Sequence, residues 1–248
     1  MSERQGRVVT ARSPSFKALE ATARQTNAKG AYFDRGAHKA AAEIQAWLDA
    51  TEEADFMHGQ VATVQLLVAP LLPEMDSDGE EVPPPFDPSD IEIAKPADIR
   101  AACEQLVSEL PKSFREAVRK DAEALVGVVK GAAPGIPWVT LRLEMVQHNA
   151  CWRWHQDAYA GRAIISYVGP GTFAADDKAV LWDKYEESMG QESNLEAVPE
   201  EGVKKMTTNS VLLMKGDTWP GLRGSGLTHK SPDVPGDPPP KRLLLKVD

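Results

Sequence analysis

The sequence predicts an α+β protein, with a mainly helical region at residues 1–130 and a strand-rich region at residues 131–248. Two observations lead to this prediction. Apolar residues recur at helical spacing in the first region and alternate with polar residues in the second. In the second region, turns rich in glycine and proline separate short apolar stretches, which is typical of an antiparallel barrel or sandwich. A chain of 248 residues suits one large domain, or a core domain with an added subdomain.

Three stretches of the first region have apolar residues at helical spacing. They are AHKAAAEIQAWLDA, ADIRAACEQLVSEL and SFREAVRKDAEALVGVVKG. Pro96 directly precedes the second stretch and suits the first turn of a helix, and Pro111 follows its end. Gly131 terminates the third stretch. We therefore expect these helices to pack against the strand-rich region.

An acidic segment at residues 74–92 separates the first two of these stretches. It is rich in proline and nearly free of apolar residues, so we expect an exposed loop. The net charge of the whole chain is −9, and much of it is concentrated here. This acidity argues against general binding of nucleic acid.

Cysteine use and hydrophobicity indicate the compartment. Cys103 and Cys151 form neither a CxxC pair nor a disulfide framework. The N-terminal MSERQGRVVTARS lacks the apolar region of a secretory signal. The longest apolar run, VQLLVAPLL, is too short to span a membrane and is interrupted by Pro70. We expect a cytoplasmic protein that does not bind membranes; the oligomeric state cannot be read from the sequence.

Four apolar stretches of the second region have the pattern of strands. They are WVTLRLEMV, RAIISYVG, SVLLMKGD and RLLLKVD. Tight turns such as GPGT and SPDVPGDPPP lie between them. The polar stretch WDKYEESMGQESNLEAVPEEGVKK, between the second and third strands, is predicted to be an insertion with one helical turn.

A candidate metal site begins in CWRWHQDAYAGR with His155 and Asp157. Residues two apart in an extended strand point to the same face, so one imidazole and one carboxylate could bind one cation. The site needs a third ligand, and His229 in GLTHKSP lies where a barrel can bring it beside the first two. The remaining histidines lie in predicted helices or in a turn: His38, His58 and His148.

Two histidines and one carboxylate form the facial triad of non-haem Fe(II) oxygenases, which leaves positions open for a co-substrate and dioxygen. The lack of a cysteine ligand disfavours a structural zinc site. We therefore predict that His155, Asp157 and His229 are the metal ligands and the catalytic core of an iron site.

Arg242 follows His229 by 13 residues and begins the last predicted strand, where Leu243 and Leu245 lie on the opposite face. A buried guanidinium needs an anionic partner, and a carboxylate bound in a bidentate pair meets that need. We predict that Arg242 binds the distal carboxylate of 2-oxoglutarate.

The order strand, HQD, strands, His, strand, Arg resembles the Fe(II)/2-oxoglutarate-dependent dioxygenases. The matching residues are His155, Asp157, His229 and Arg242. The resemblance implies a double-stranded β-helix core, the jelly-roll fold of cupins, at residues 131–248. It also implies that Tyr167, on the strand after HQD, assists in binding the co-substrate. Because Asp157 is a true carboxylate, the resemblance implies oxygenation rather than halogenation.

A closer resemblance is to the domain-of-unknown-function family 1826. It rests on WHQDAYAGRAIISYVGPGT, LLMKGDTWPG, LTHKSP and RLLLKVD, which have that family's motifs in the same order. These motifs cover about the last hundred residues. They support a small cupin-like metal domain and do not imply a particular reaction.

Trp154, Trp219 and Arg162 are candidates for contact with substrate. For each tryptophan taken alone, packing in the core is the favoured interpretation. Trp219 is the best candidate of the two because it lies in a Gly/Pro-rich loop shortly before His229. Arg162 could meet an acidic substrate or neutralise a neighbouring carboxylate.

Three functions compete at this stage. The first is an Fe(II)- and 2-oxoglutarate-dependent oxygenase acting with dioxygen on a small molecule. The second is a cupin-type metalloenzyme that does not use 2-oxoglutarate, in which Arg242 would contact the substrate or be structural. The third is a metal-binding or interaction module without activity, although three protein ligands are typical of an open, catalytic site.

Overall fold

The structure, a computed structural model, describes most of the 248 residues. The described ranges are 5–52, 60–69, 74–75, 81–82, 93–147, 151–222, 226–236 and 238–248. Within them the chain has a mixed α/β fold, with a seven-stranded sheet, a three-stranded sheet, a two-stranded sheet and several helices.

The strands in these ranges are β1 (Arg7–Thr10), β2 (Ala28–Phe33), β3 (Gln60–Leu67), β4 (Glu74–Met75), β5 (Glu81–Val82), β6 (Trp138–Val146), β7 (Gly161–Val168), β8 (Phe173–Ala175), β9 (Val203–Lys205), β10 (Val211–Lys215), β11 (His229–Lys230) and β12 (Arg242–Val247). The α-helices are α1 (Phe16–Ala23), α2 (Ala41–Ala50), α3 (Pro96–Leu106), α4 (Lys112–Ala132) and α5 (Trp182–Glu187). The predicted helices correspond to α2, α3 and α4, and the predicted strands to β6, β7, β10 and β12.

The large sheet has the order β1-β2-β10-β7-β12-β6-β3. Only the β1–β2 pair is parallel among these pairings. Three strands therefore come from the region that the sequence predicts to be mainly helical, and they share one sheet with the strands of the second region. Of the three, β2 is buried at five of its six positions, so its sequence lacks the alternating pattern that would indicate a strand.

One face of the large sheet is covered by helices. Leu141, Ile165, Leu213 and Leu245 point to this face and share a core with apolar side chains of α1, α2, α3 and α4. α4 supplies the longest apolar stripe, because its buried residues recur every three or four positions. The other face of the sheet is thereby left to pack against a second sheet.

The opposite face packs against a three-stranded sheet of order β11-β8-β9. An inter-sheet cluster fills the space between the two sheets: Val8, Val146, Ile164, Ala174, Met206, Leu212, Met214, Leu227 and Leu244. Its members alternate along β12 and β7 with the helix-facing residues, as the two-residue period of a strand requires. Side chains that line the inter-sheet space therefore lie in largely apolar surroundings.

The predicted polar insertion forms α5, 3-10 turns at residues 192–197 and 200–202, and β9. Tyr185, Ala197 and Val198 from this segment pack with Val180, just before it, on the outer face of the small sheet. The insertion thus closes one side of the sheet that contains His229.

The acidic segment is described only at β4 and β5, which pair antiparallel; the rest of the predicted loop lies outside the described residues. His58 and His148 also lie outside them. No described helix combines the length and the hydrophobicity that a membrane span needs.

Candidate metal centre

His155 and His229 are brought together by an antiparallel bridge. The His155 N–H donates to the His229 carbonyl at 3.0 Å, and the His229 N–H donates to the His155 carbonyl at 2.9 Å. Directly opposed residues point to the same side, and the two ring centroids are 4.3 Å apart. His229 also pairs with Ala174 of β8, a member of the inter-sheet cluster, so the histidines face the inter-sheet space.

Asp157 completes a compact set of three possible ligands. Its Oδ1 is 3.8 Å from His155 Nε2, and its Oδ2 is 3.5 Å from His229 Nε2. One ligand atom from each residue lies within 4.8 Å of the others. Asp157 Oδ2 is buried and accepts no hydrogen bond from a described residue. A buried carboxylate oxygen without a donor is costly unless a cation binds it.

The histidine rings are oriented for coordination through Nε2. His155 Nδ1 is 2.8 Å from the Arg153 carbonyl, and His229 Nδ1 is 2.9 Å from the Leu227 carbonyl. A carbonyl can only accept, so each Nδ1 donates and each neutral ring keeps a lone pair on Nε2. Burial lowers the pKa of His229 to about 4, so its ring is neutral at physiological pH. Two imidazole nitrogens and one carboxylate fit a divalent first-row metal such as ferrous iron.

Gln156 and Asp217 fix the loops that position the ligands. Gln156 Nε2 donates to the Gly226 carbonyl at 2.9 Å and to Thr228 Oγ1 at 3.1 Å. Asp217 donates its N–H to the Asp157 carbonyl and accepts the Gly226 N–H on Oδ1. The sequence pattern predicted no role for these two side chains, although both lie in the HQD and KGD motifs.

Arg242 lies on the face that points into the inter-sheet space. It pairs with Val146 of β6, a member of the inter-sheet cluster, and is 3% exposed. Among the described residues, no acidic group or carbonyl is within hydrogen-bonding distance of its guanidinium, and burial lowers its pKa. Gly169, with φ of +81°, packs against the Arg242 side chain. Within the described part of the chain, Arg242 is thus a buried cation without an anion.

Tyr167 is placed differently from the prediction. It is fully buried on the helix-facing side of β7, and its hydroxyl donates to Asp121 Oδ2 of α4 at 2.8 Å. Arg35 binds the other carboxylate oxygen of Asp121. Tyr167 thus points away from the face of Arg242, which contradicts its predicted role beside the co-substrate. The physical reason is strand parity, because Tyr167 shares its face with Ile165.

Trp154 and Trp219 both pack in apolar cores, which is the interpretation that the sequence favoured for each tryptophan taken alone. Trp154 is 2% exposed and lies in the cluster on the outer face of the small sheet, because it points opposite to His155. Trp219 is 5% exposed and packs against Gly161, where a Cβ would lie 2.8 Å from its ring. Neither placement supports the expected contact with substrate.

Arg162 lies beside the candidate ligands. Its Nη1 is 3.7 Å from Asp157 Oδ2, and its Nε donates to Asp248 Oδ1. The guanidinium stacks under the ring of Tyr159, 4.9 Å from the centroid. Of the two sequence interpretations, this geometry favours neutralisation of carboxylates.

The family described as "Protein of unknown function (DUF1826)" matches residues 84–248, more than half of the chain. The chain belongs to this family. The DUF1826 match begins well before the last hundred residues on which the resemblance was based, and it includes α3 and α4. These two helices behind the large sheet are therefore part of the unit that defines the family rather than an unrelated addition.

Several solved structures are similar to this DUF1826 protein. A candidate oxygenase from Shewanella oneidensis has 13% identity and a TM-score of 0.41, covering 98% of this chain and 88% of that chain. The Fe(II)/α-ketoglutarate-dependent dioxygenase TqaL has 12% identity and a TM-score of 0.40, covering 95% and 89%. A bsmA homolog from Methylobium petroleophilum has 13% identity and a TM-score of 0.37, covering 96% and 94%. No curated protein matches. Values this low do not assign an activity.

Proposed function

We propose that the chain is a non-haem oxygenase that uses Fe(II), 2-oxoglutarate and dioxygen to oxidise a carbon–hydrogen bond of a small molecule. One observation carries the proposal. A cluster of two histidines and one aspartate shares the inter-sheet space with Arg242, a buried cation that lacks an anionic partner among the described residues. A metal bound to the histidines and the aspartate, together with a dicarboxylate that chelates this metal and extends to Arg242, would supply a cation for the cluster and an anion for the guanidinium.

The topology of the second region supports a double-stranded β-helix for residues 131–248. In the large sheet, β10, β7, β12 and β6 are consecutive and antiparallel. In the small sheet, the segment around His155 adjoins β11, which is followed by β8 and β9. From β6 onward, consecutive strands alternate between the two sheets except for β8 and β9, which pair with each other in the small sheet. This is the winding of a jelly roll.

His155, Asp157 and His229 would hold the iron through two Nε2 atoms and one carboxylate. When bound, ferrous iron supplies the dioxygen chemistry that couples decarboxylation of 2-oxoglutarate to substrate oxidation. The carbonyls of Arg153 and Leu227 accept the Nδ1 protons, which fixes the tautomer so that Nε2 is the nitrogen presented to the metal. The apolar side chains of the inter-sheet cluster would limit the entry of water between the ligands and Arg242.

Arg242 has the role of orienting the co-substrate. A bidentate pair between its guanidinium and the distal carboxylate fixes both position and direction of the molecule. Truncating one partner of a buried charge pair costs about 2 to 5 kcal/mol, so Arg242→Ala should weaken 2-oxoglutarate binding at least about 30-fold. Iron binding itself should survive, because Arg242 is not a ligand.

An anaerobic titration with Fe(II), with and without 2-oxoglutarate, tests the proposal. We expect the visible charge-transfer band of a ferrous 2-oxo-acid chelate when both are present, and its loss in Arg242→Ala. Arg100→Ala is the matched control, because Arg100 is exposed on α3 and pairs with Glu104. His155→Ala and Asp157→Ala should lose the iron.

Each alternative has its own signature in this titration. Iron binding without the band in the wild type would contradict the use of 2-oxoglutarate and favour a cupin-type metalloenzyme. Tight zinc binding without ligand exchange would favour a non-enzymatic module. Wild-type iron affinity in both His155→Ala and Asp157→Ala would exclude the three-residue site.

A further inference from the structure

Arg162 is a cation that lies directly beside the candidate metal site. Its guanidinium lies between two carboxylates, those of Asp157 and Asp248. Its side chain is 15% exposed, so solvent screens these charges only partly. A guanidinium stays protonated at any pH that a folded protein tolerates, so Arg162 is a permanent cation.

Arg162 and the metal would compete for the same atom. Of the two Asp157 carboxylate oxygens, Oδ2 is the one nearer to Arg162, at 3.7 Å from Nη1, and it is also 3.5 Å from His229 Nε2. A separation of 3.7 Å is longer than a hydrogen bond, so Arg162 does not donate to Asp157 in this arrangement. A typical N–H···O hydrogen bond has a donor–acceptor distance of about 2.9 Å. A shift of the guanidinium by less than about 1 Å would therefore create a hydrogen bond from Arg162 to Asp157 Oδ2, the oxygen that the metal would need.

Asp248 holds Arg162 away from that oxygen. Its Oδ1 accepts the Nε–H of Arg162, and its backbone is paired with Thr140 through hydrogen bonds of 2.8 and 2.9 Å. Arg142 Nη2 lies 3.3 Å from the second carboxylate oxygen. Asp248 is therefore an anchored anion that both positions the Arg162 guanidinium and offsets its charge.

We infer that Asp248 is a positioning residue for the metal site, which keeps Arg162 from pairing with Asp157 and so keeps the carboxylate available to the divalent cation. The inference rests on the proposed function, since it assumes a metal on His155, Asp157 and His229. Without the Asp248 charge, Arg162 moves to Asp157 and becomes a built-in competitor of the metal. Removal of the Asp248 charge should therefore weaken metal binding only when Arg162 is present. This dependence on Arg162 distinguishes the proposed role from a general loss of structure.

Calorimetric titration with Co(II) alone, in the absence of any co-substrate, measures the effect. Asp248→Asn should weaken cobalt binding about 10- to 100-fold, the range typical of residues that orient metal ligands. Arg162→Gln should bind cobalt at least as tightly as the wild type. The double variant should recover the lost affinity to within about threefold, because the competitor is gone.

Asp49→Asn is the matched control, since it removes the same charge from an exposed position on α2. Thermal unfolding of every variant shows which of them are folded. If Asp248→Asn does not fold, Arg162→Gln still tests the inference. A tenfold loss of cobalt affinity in Arg162→Gln would overturn it, because removal of a competitor cannot weaken metal binding.

The remaining outcomes are distinct. Wild-type affinity in Asp248→Asn overturns the inference and leaves the metal site intact. A loss in Asp248→Asn that the double variant does not recover also overturns it, because the effect would not pass through Arg162. A wild-type protein that binds no cobalt overturns the proposed function and, with it, this inference.

Discussion

The placement of Arg242 depends on a glycine. Gly169 follows β7 and has φ of +81°, a conformation that is unfavourable for residues with a Cβ. A Cβ at this position would lie 2.6 Å from Arg242 Cγ. Gly169 therefore serves two purposes, since it makes the GPGT turn and gives the Arg242 stem its space. An experiment can separate the need for a positive φ at Gly169 from the need for space beside the Arg242 side chain.

Gly169→Ala should destabilise the fold and also displace Arg242. Gly190→Ala is the matched control, because Gly190 has the same φ of +81° and a Cβ there would meet no atom within 4 Å. Each should lose about 1 kcal/mol of unfolding free energy in urea from the backbone conformation. Only Gly169→Ala should also weaken 2-oxoglutarate binding to the iron-loaded protein. Equal co-substrate affinity in the two variants would show that the contact with Arg242 does not matter.

At the level of single residues, the sequence predicted the site where a chemical pattern was present. The structure brings His155, Asp157 and His229 together, and the sequence predicted this grouping because H-x-D and a later histidine are ligand types at a spacing that a barrel can close. Tyr167 was assigned to the wrong face because the parity of its strand was not followed. Asp248 was missed, since an aspartate beside two arginines from distant strands has no local signature.

At the level of elements, long periodic stretches were predicted well and short buried strands were not. α4 and β6 were evident because each extends over several repeats of its period. β1 and β2 are only four and six residues long, and they exist because β10 offers a hydrogen-bonding partner to β2. Pairing of that kind depends on tertiary structure and overrides local preference.

Lys215 connects two such elements. It ends β10, and its Nζ donates to the carbonyl of Gln25, just beyond α1, at 3.1 Å. The ammonium lies 5.4 Å from the centroid of the Trp219 ring and is 5% exposed. Burial lowers the pKa of Lys215 to about 8 from its ordinary value of 10.5. The charged form is therefore less favourable in the folded than in the unfolded chain.

The stability of the wild type should rise with pH relative to Lys215→Met. Below about pH 8 Lys215 is charged in both states, and the folded state bears the full cost of burying the charge. Between about pH 8 and 10.5 the folded state is neutral while the unfolded state still binds the proton, so this cost disappears. Urea unfolding at about pH 7 and about pH 10 should show a relative gain of about 1 to 3 kcal/mol. A constant difference between the two proteins would contradict the lowered pKa.

At the level of the whole molecule, a buried polar junction ties the N-terminal strands to the second region. Lys29 Nζ of β2 is 2.7 Å from Asp177 Oδ2, and the side chains are 4% and 1% exposed. Asp177 also accepts the Gly6 N–H at 2.8 Å, and Asp176 accepts the Val8 N–H at 2.7 Å. β1 and β2 are thus fixed both by the sheet and by carboxylates from the segment that follows β8.

Because strands from both sides of residue 130 share one sheet and this junction, we expect the described parts of the chain to unfold together. Asp177→Asn leaves Lys29 buried without its counter-charge, so it should cost about 3 to 5 kcal/mol and shift a single cooperative transition. Glu196→Gln breaks an exposed pair with Lys184 and should cost less than about 1 kcal/mol. Chemical unfolding followed by both circular dichroism and tryptophan fluorescence measures this. An early separate transition in Asp177→Asn, with the metal site still intact, would show instead that the N-terminal strands unfold as an independent unit.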